Sequence, residues 1–422
     1  MVEITFLGGC LQIGGSAITI ETPSVNVLMD YGIYMKSTPS FPEEVRPKDI
    51  DAILLTHAHL DHSGGLPLLF SGTAVPQLFA TPLTIDLTQL LIFDMIRISD
   101  YYLPFGKSEL LRMTSNTKRV SYGKKKINSK CEAQFLDAGH IPGSCALNLE
   151  LDEKRILYTG DFNTNNTQLL KKADLKFSKL DCLIIESTYA LEEHPSREET
   201  EKKFVARINE IVNLGGTVLI PAFGVARSQE ILCILHKYNF KFPIFLDGMA
   251  RVVARIFSEY PNYFRNSNLF KNALKQAHLI TRGKNKEEER LKAASTPGVI
   301  IAPSGMLKGG TAVNYMDQLA QNPENGIFLV SFQIPTTPGR LLIDTNKWGE
   351  EDVRAQVEFF NFSSHAGRRG LWDLIHALES YPDVTVFCMH GEEASCKRFA
   401  QEINETTQLN AIAPERKEIF TI

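Results

Sequence analysis

The sequence lacks any apolar run of about eighteen residues, the length a membrane-crossing helix needs. It also has no Cys-x-x-Cys pair, no low-complexity tract, no internal repeat and no excess of basic charge. Met1-Val2-Glu3-Ile4-Thr5-Phe6 places a charge where a secretory leader would be apolar, so it reads as a first strand, and the expected compartment is the cytoplasm. The seven cysteines, at positions 10, 131, 145, 182, 233, 388 and 396, are odd in number and scattered. They read as small buried hydrophobes in a reducing compartment. A formal net charge of -4 argues against a surface built to bind polyanions globally, so any nucleic-acid contact has to be a local groove. Lys124-Lys125-Lys126 and Arg368-Arg369 accordingly read as solvated surface. With 43% hydrophobic and 22% charged residues the composition is that of an ordinary globular protein, and 422 residues suffice for two or three domains.

What the chain does have is Thr56-His57-Ala58-His59-Leu60-Asp61-His62, directly after the apolar run Ile53-Leu54-Leu55. His57 and His59 alternate by two, so at a strand end their imidazoles can point the same way, while Asp61 and His62 follow as the chain turns into a helix opened by Gly64 to Leu69. Zinc favours imidazole and carboxylate together. Four such donors in so short a loop exceed what one mononuclear site takes, so two metals are implied and further His and Asp residues should end other strands. The chain contains only ten histidines, which makes the clustering of three of them in one loop informative.

Up to about residue 190 the reading is strand-rich: Ile4 to Leu7, Ser16 to Ile20, Val25 to Met29, Ala52 to Leu55, Cys145 to Leu151 and Ile156 to Thr159. Polar residues collect at strand ends: Asp30 ends Val25 to Met29, His140 follows Asp137-Ala138-Gly139, and Asp161 follows Arg155 to Gly160. Near residue 196 the texture changes. Ser196 and Glu199 form a capping box for a helix with Phe204, Val205, Ile208, Ile211 and Val212 on its apolar face, stopped by Gly215-Gly216. Strand Thr217 to Pro221, helix Arg227 to Tyr238, strand Pro243 to Leu246 and strand Val299 to Ala302 then alternate as in a parallel βα domain. From Phe359 strands and helices resume, and Asp383 to Met389 is a buried strand ending in His390.

His57-x-His59-x-Asp61-His62, His140 and Asp161 in Thr159-Gly160-Asp161-Phe162 together resemble the metallo-β-lactamase superfamily. Glu186 in Glu186-Ser187-Thr188-Tyr189, His365 in Phe362-Ser363-Ser364-His365-Ala366, and His390 in His390-Gly391-Glu392 resemble the β-CASP ribonucleases. Pro221-Ala222-Phe223 with Arg227 and Gln229-Glu230, and Ala302-Pro303-Ser304-Gly305-Met306, are similar to the branch containing the nuclease subunit of the cleavage and polyadenylation specificity factor and its archaeal relatives. The resemblance implies an α/β fold: a metallo-β-lactamase αββα sandwich, residues 1–190 and 359–422, with an inserted parallel-sheet β-CASP βα domain at 191–358. It implies two zinc ions per chain, one taken by His57, His59 and His140, the other by Asp61, His62 and His390, with Asp161 bridging. Asp30 matches an acid that orients the ligands from behind.

The function implied is a zinc-dependent ribonuclease hydrolysing RNA phosphodiester bonds by a two-metal mechanism, endonucleolytic in RNA 3′-end processing or turnover. His365, not required as a ligand, is the expected acid for the leaving 3′ oxygen, oriented and charged by Glu186. The alternatives are a 5′→3′ exoribonuclease of the RNase J type and a non-catalytic scaffold subunit of a cleavage complex. The partner implied is single-stranded RNA, with the insertion roofing the metals to leave a slot, and with association as a homodimer or with other β-CASP subunits. Ser304, Gly305 and Met306, between a strand and a helix, and Arg340 are the expected phosphate contacts. Since the chain starts at the catalytic domain, RNA is expected to be gripped by the cleft or by a partner rather than by a preceding KH module. Several positions depart from the family pattern: Gln12 and Gly15 replace a Glu and an Arg, Ser331-Phe332-Gln333 replaces Gly-Tyr-Gln, and Gly367 stands where an acid is common. The remaining histidines, 194, 236, 278 and 376, read as structural.

Overall fold

The computed structural model describes residues 1–34, 38–99, 101–281, 283–334 and 336–422. The strands, in chain order, begin with β1 (Glu3–Gly8), β2 (Ala17–Thr22), β3 (Val25–Met29), β4 (Ala52–Leu54), β5 (Gln77–Ala80) and β6 (Thr117–Arg119). Next come β7 (Gly123–Lys126), β8 (Cys131–Asp137), β9 (Cys145–Leu151), β10 (Lys154–Tyr158) and β11 (Cys182–Glu186). After these follow β12 (Thr217–Pro221), β13 (Ile244–Leu246), β14 (Ala277–Leu279), β15 (Gly298–Ala302), β16 (Gly326–Leu329), β17 (Lys347–Trp348), β18 (Glu351–Asp352) and β19 (Gln356–Phe359). The last three are β20 (Thr385–Met389), β21 (Asn410–Ile412) and β22 (Ile419–Thr421). Two compact units result: Met1–Asn166 with Lys172–Glu193 and Ser364–Ile422, and Thr167–Lys171 with His194–Ser363.

The first unit is built from two sheets, ordered β22-β1-β2-β3-β4-β5-β6 and β21-β20-β11-β10-β9-β8-β7 among the described residues. Side-chain alternation along each strand explains why two sheets need helices outside them. In β11, Cys182 and Ile184 enter a core shared with Ile4, Phe6, Ile18, Ile20, Val27, Leu54, Phe135, Leu147 and Ile156, which is the space between the sheets. Leu183 and Ile185, on the other face of the same strand, pack with Leu371, Leu374, Phe399 and Ile403 of the helices Arg368–His376 and Glu393–Thr406. The first sheet repeats the pattern: Leu28, Ile53, Leu78 and Ala80 face Ile85, Ile92, Leu110 and Met113 of the helices Pro82–Ile98 and Lys107–Ser115. The layers are therefore helix, sheet, sheet, helix.

β3 and β4 run parallel, as do β10, β11 and β20, so their C-terminal ends share one edge of this sandwich. The turn between antiparallel β8 and β9, where Asp137 pairs with Cys145, lies at the same edge. That edge receives Glu186, the last residue of β11, and residues that follow the other strands: Asp30, His57, His140, Asp161 and His390. The second unit carries a parallel sheet, β14-β13-β15-β12-β16-β19, with β17 and β18 as a separate antiparallel pair. Its central strands are bare apolar runs such as Val218-Leu219-Ile220 and Val299-Ile300-Ile301, buried throughout, as a sheet covered on both faces requires.

One local reading changes. The helix expected from Gly64 to Leu69 is instead one α-turn, Leu60–Ser63, followed by a 3-10 stretch, Leu66–Phe70. Gly64-Gly65 and Pro67, which has no N–H to donate, interrupt the i→i−4 ladder that a continuous helix would need. Lys124, Lys125 and Lys126, read as solvated surface, lie on the partly exposed edge strand β7, paired with β8, with Lys124 Nζ 2.8 Å from Glu132. Lysines on an outermost strand discourage pairing with another chain, which hides a strand behind a polar composition.

Candidate metal centre

The His57 to His62 loop is short enough to project four donors because it combines an extended strand end with one helical turn. His59 is the residue before the turn Leu60–Ser63, so Asp61 and His62 fall inside it. Among the described residues, three groups of donor atoms come within 4.8 Å of one another: His57, His59, His140 and Asp161; Asp61, His62, Asp161 and His390; and Asp161, Glu186 and His365. Asp161 belongs to all three, and its two oxygens divide the work. Oδ2 lies 3.6 Å from His57 Nε2 and 3.7 Å from His140 Nε2. Oδ1 lies 3.4 Å from His62 Nε2 and 3.1 Å from His390 Nδ1.

The spacing fits cations rather than a hydrogen-bond network. A tetrahedral ion with bonds of about 2.0–2.1 Å holds its ligand atoms about 3.3 Å apart. His140 Nε2 and His59 Nδ1 are 3.2 Å apart, and His62 Nε2 and His390 Nε2 are 3.3 Å apart. His57 Nε2 and Asp161 Oδ1 are buried and make no hydrogen bond of acceptable geometry, a costly condition for polar atoms unless something else binds them. Burial, reinforced by neighbouring imidazoles, holds His57 and His140 well below the usual histidine value. Burial likewise brings His59 down to about 4, so all three present lone pairs at neutral pH. On Asp161 burial opposes ionisation, but His390 and His62 outweigh it and keep the carboxyl well below its ordinary value.

Behind the donors stands a layer that orients them. His62 Nδ1 is 2.7 Å from Asp30 Oδ2, and Asp30, fully buried, also accepts from Thr56 N–H at 2.8 Å, Thr56 Oγ1 at 2.8 Å and Tyr158 OH at 3.0 Å. Thr56 Oγ1 is also 3.1 Å from His57 Nδ1. His140 Nδ1 is 2.9 Å from the Ser364 carbonyl oxygen. Such contacts fix which ring nitrogen faces a metal. Thr56, Tyr158, Ser364 and Ser16, whose Oγ lies 3.4 Å from His62 Nε2, were not among the residues singled out from sequence. For Thr56 and Tyr158 a signal existed, since each is a hydroxyl at a strand end beside a donor; Ser16 and the Ser364 carbonyl had none.

Backbone geometry at this edge is unusual. Asp30 and His390 have φ of 55° and 50°, left-handed conformations that cost a non-glycine residue roughly 1–2 kcal/mol each. The His390 N–H donates to Gly9 O at 2.7 Å, which holds that turn. Gly160, at φ +51, passes so close to Thr56 that a Cβ would stand 2.9 Å from the threonine Cβ. Gly15, one of the departures from the family pattern, has φ +63, and a Cβ there would lie 2.4 Å from the Tyr34 ring. In this chain tyrosine occupies the space an arginine at position 15 would need.

His365 stands beside the donors. Its Nδ1 is 3.1 and 2.9 Å from the two oxygens of Glu186, and its Nε2 is 3.9 Å from Asp161 Oδ2. Glu186 also accepts the Phe162 N–H at 3.0 Å, which ties it to the Asp161 loop. Burial disfavours the imidazolium, but Glu186 and Asp161 outweigh it and raise the His365 pKa to about 9.

The residues expected to touch phosphate lie in the second unit and contribute no atom to these clusters. Gly305 is packed so that a Cβ would stand 2.9 Å from Ser331 Oγ and 3.1 Å from Phe223 N. Met306 O accepts from Gly339 N at 2.9 Å, Ser304 Oγ donates to Gly309 O at 3.2 Å, and Arg340 Nε pairs with Asp344 at 2.8 Å along its own helix. The remaining histidines sit apart: His194 beside Asn361, His236 beside Gln276, His278 beside Glu289 and His376 beside Glu379.

Family comparison agrees with this arrangement. Residues 19–186 match a metallo-beta-lactamase superfamily domain, 228–342 a Beta-Casp domain, and 350–414 a Zn-dependent metallo-hydrolase RNA specificity domain. The chain is 34% identical to the RNase aCSPSF2 of Saccharolobus solfataricus, over 98% of this chain and 84% of that one. It is 36% identical to the probable RNase MJ4 of Methanocaldococcus jannaschii, over 93% and 94%. A crystal structure of a protein of unknown function from Enterococcus faecalis V583 shares the fold at a TM-score of 0.65 and 16% identity, covering 100% of both chains. No described helix is long and apolar enough to cross a membrane. With the donor clusters at the sandwich edge and these matches across the chain, the protein belongs to the β-CASP ribonuclease family of the metallo-β-lactamase superfamily, in its archaeal cleavage and polyadenylation specificity factor-like branch.

Proposed function

We propose that the chain is an RNA endonuclease working with two zinc ions, and that the observation carrying this reading is the division of Asp161 between two donor sets, one oxygen to each. His57, His59 and His140 would hold one ion, and Asp61, His62 and His390 the other, with Asp161 reaching both. When bound, the pair supplies water acidified toward neutral pH and neutralises charge that builds on a phosphodiester oxygen. The protein's own contribution is order: Asp30 fixes the His62 ring and the Ser364 carbonyl fixes His140.

His365 is the proposed acid. Glu186 holds Nδ1 and stabilises the protonated ring, leaving Nε2 directed at the cluster, and the raised pKa keeps the proton available at neutral pH. Transfer of the Nε2 proton to the departing 3′ oxygen leaves a 3′-hydroxyl on the upstream fragment and a 5′-phosphate on the downstream one. RNA as substrate is supported by the ribonuclease names of the relatives and by the matching RNA specificity domain. Ser304, Gly305, Met306 and Arg340 are proposed to contact its phosphates from the second unit.

The test is cleavage of end-labelled linear RNA and of circular RNA by the purified protein, with and without chelator. Fragments from the circle, lost on chelation and restored by zinc, are the expected result. Shortening of the linear RNA solely from its 5′ end, with the circle intact, would assign the RNase J type of action instead, and no cleavage of either would support the scaffold reading.

A further inference from the structure

An inserted domain needs two chain crossings, but this chain makes four. Between Asn166 and Lys172 it leaves the first unit, spends Thr167–Lys171 as part of the second, and returns before the main insertion begins at His194. The excursion is the tip of the loop that starts at Asp161. Its base is closed within the first unit by Lys172 N–H to Asn166 Oδ1 at 2.9 Å, Ala173 N–H to Asn163 O at 2.7 Å and Asn163 N–H to Ala138 O at 2.9 Å.

The tip is held by charged and polar side chains of the second unit. Glu230, 3% exposed, accepts the Gln168 N–H on Oε1 at 2.9 Å and the Leu169 N–H on Oε2 at 2.7 Å, so each of its oxygens takes one backbone donor. Arg197 Nη2 neutralises it at 2.5 Å. Arg265 clamps from the carbonyl side, with its N–H on Leu169 O and its Nη1 on Thr167 O, both at 2.9 Å. Gln168 Nε2 reaches the fully buried Glu201 at 2.9 and 3.0 Å, and Leu169 and Leu170 are buried. A buried carboxylate spent on two consecutive main-chain amides is a device for fixing a segment of backbone.

We propose that Glu230 is a positioning residue for the reaction at the metal centre: by clamping the strap Thr167–Lys171 it holds the loop that begins at Asp161, and so the carboxylate shared by the two donor sets. The proposal rests on the two-metal reading above. It accounts for a motif of the inserted unit, Gln229-Glu230, that is remote in sequence from every donor.

The strap ends in Lys171-Lys172, so trypsin reports its release directly. In Glu230→Ala, two buried amides lose their acceptor, and cleavage at Lys171 and Lys172 should run about tenfold or more faster than in the wild type, read by mass spectrometry of the fragments. Transfer of zinc from the loaded protein to a chromophoric chelator should speed up about tenfold, and kcat on RNA should fall about tenfold with KM changed by less than about twofold. Glu230→Gln, which keeps one acceptor oxygen, should recover part of each effect. Arg265→Met removes only the side-chain bond to Thr167 O and provides the same three readouts should Glu230→Ala fail to fold, as judged by circular dichroism. Wild-type trypsin resistance of the strap in the variants, or a freed strap with zinc release and kcat both unchanged, would overturn the proposal. A wild-type protein that cuts no RNA would remove the ribonuclease reading alone, because proteolysis and zinc release still decide the clamp.

Discussion

At the scale of single residues the centre depends on side chains with one nitrogen or oxygen committed to the protein and the other turned inward. His62 is committed to Asp30, His140 to the Ser364 carbonyl and His365 to Glu186. Replacing Asp30 by Asn leaves the ring of His62 without its carboxylate, and zinc affinity is expected to fall about 10–100-fold, measured by competition with a chromophoric chelator. Affinity equal to the wild type would mean that packing alone orients the ring. His365→Ala should keep its zinc, measured by elemental analysis, and lose about 10²–10⁴ in the single-turnover rate of RNA cleavage. Undiminished cleavage in that variant would leave the acid role without support. At this scale the sequence was most legible: donor types in the His57 to His62 loop are a local pattern, and the distant residues chosen from strand ends stand within reach of it. Ser16 and the Ser364 carbonyl were illegible because serine and main-chain oxygens are too common to signal anything until folding places them.

At the scale of elements, burial by alternation assigns each strand face a partner. The readings Val25 to Met29, Cys145 to Leu151 and Thr217 to Pro221 coincide with β3, β9 and β12, since apolar runs bounded by Gly, Asp or Ser leave little choice of register. Short or charged elements escaped: β6 was not singled out, β7 read as polar surface, and β14 and β19 are partly exposed edge strands of a sheet whose centre is apolar. The central strand β11 offers a test of the layering. Leu183→Ala and Ile184→Ala empty different cores, one toward the helices and one between the sheets, yet both side chains are fully buried. Each should cost about 2–5 kcal/mol in urea unfolding. A loss below about 1 kcal/mol at Leu183 would show that the helical layer packs loosely on that face.

At the scale of the whole molecule, histidines and carboxylates from distant parts of the chain are gathered at one buried edge, which burdens the folded state with desolvated polar groups. An ion that binds only the folded state offsets this, by about 2.7 kcal/mol for each site at a free concentration 100 times its Kd. Chelation should therefore lower the melting temperature seen by calorimetry, and added zinc should restore it. A melting temperature indifferent to chelator would argue that the clusters hold no tightly bound ion.

The amino-acid sequence alone determined what chemistry is available: which donors exist, that three histidines and an aspartate share one short loop, and that apolar runs of strand length precede that loop, Asp30, Asp161 and His390. These are properties of neighbours along the chain, set by residue type and spacing. Only the tertiary structure decided which donors face which oxygen of Asp161, that Tyr158 and Thr56 hold Asp30, and that a short strap from the Asp161 loop is gripped by Glu230. Those facts depend on distances between residues as far apart as His62 and His390, 328 positions along the chain, and such distances are fixed by the packing of sheets and helices rather than by local sequence.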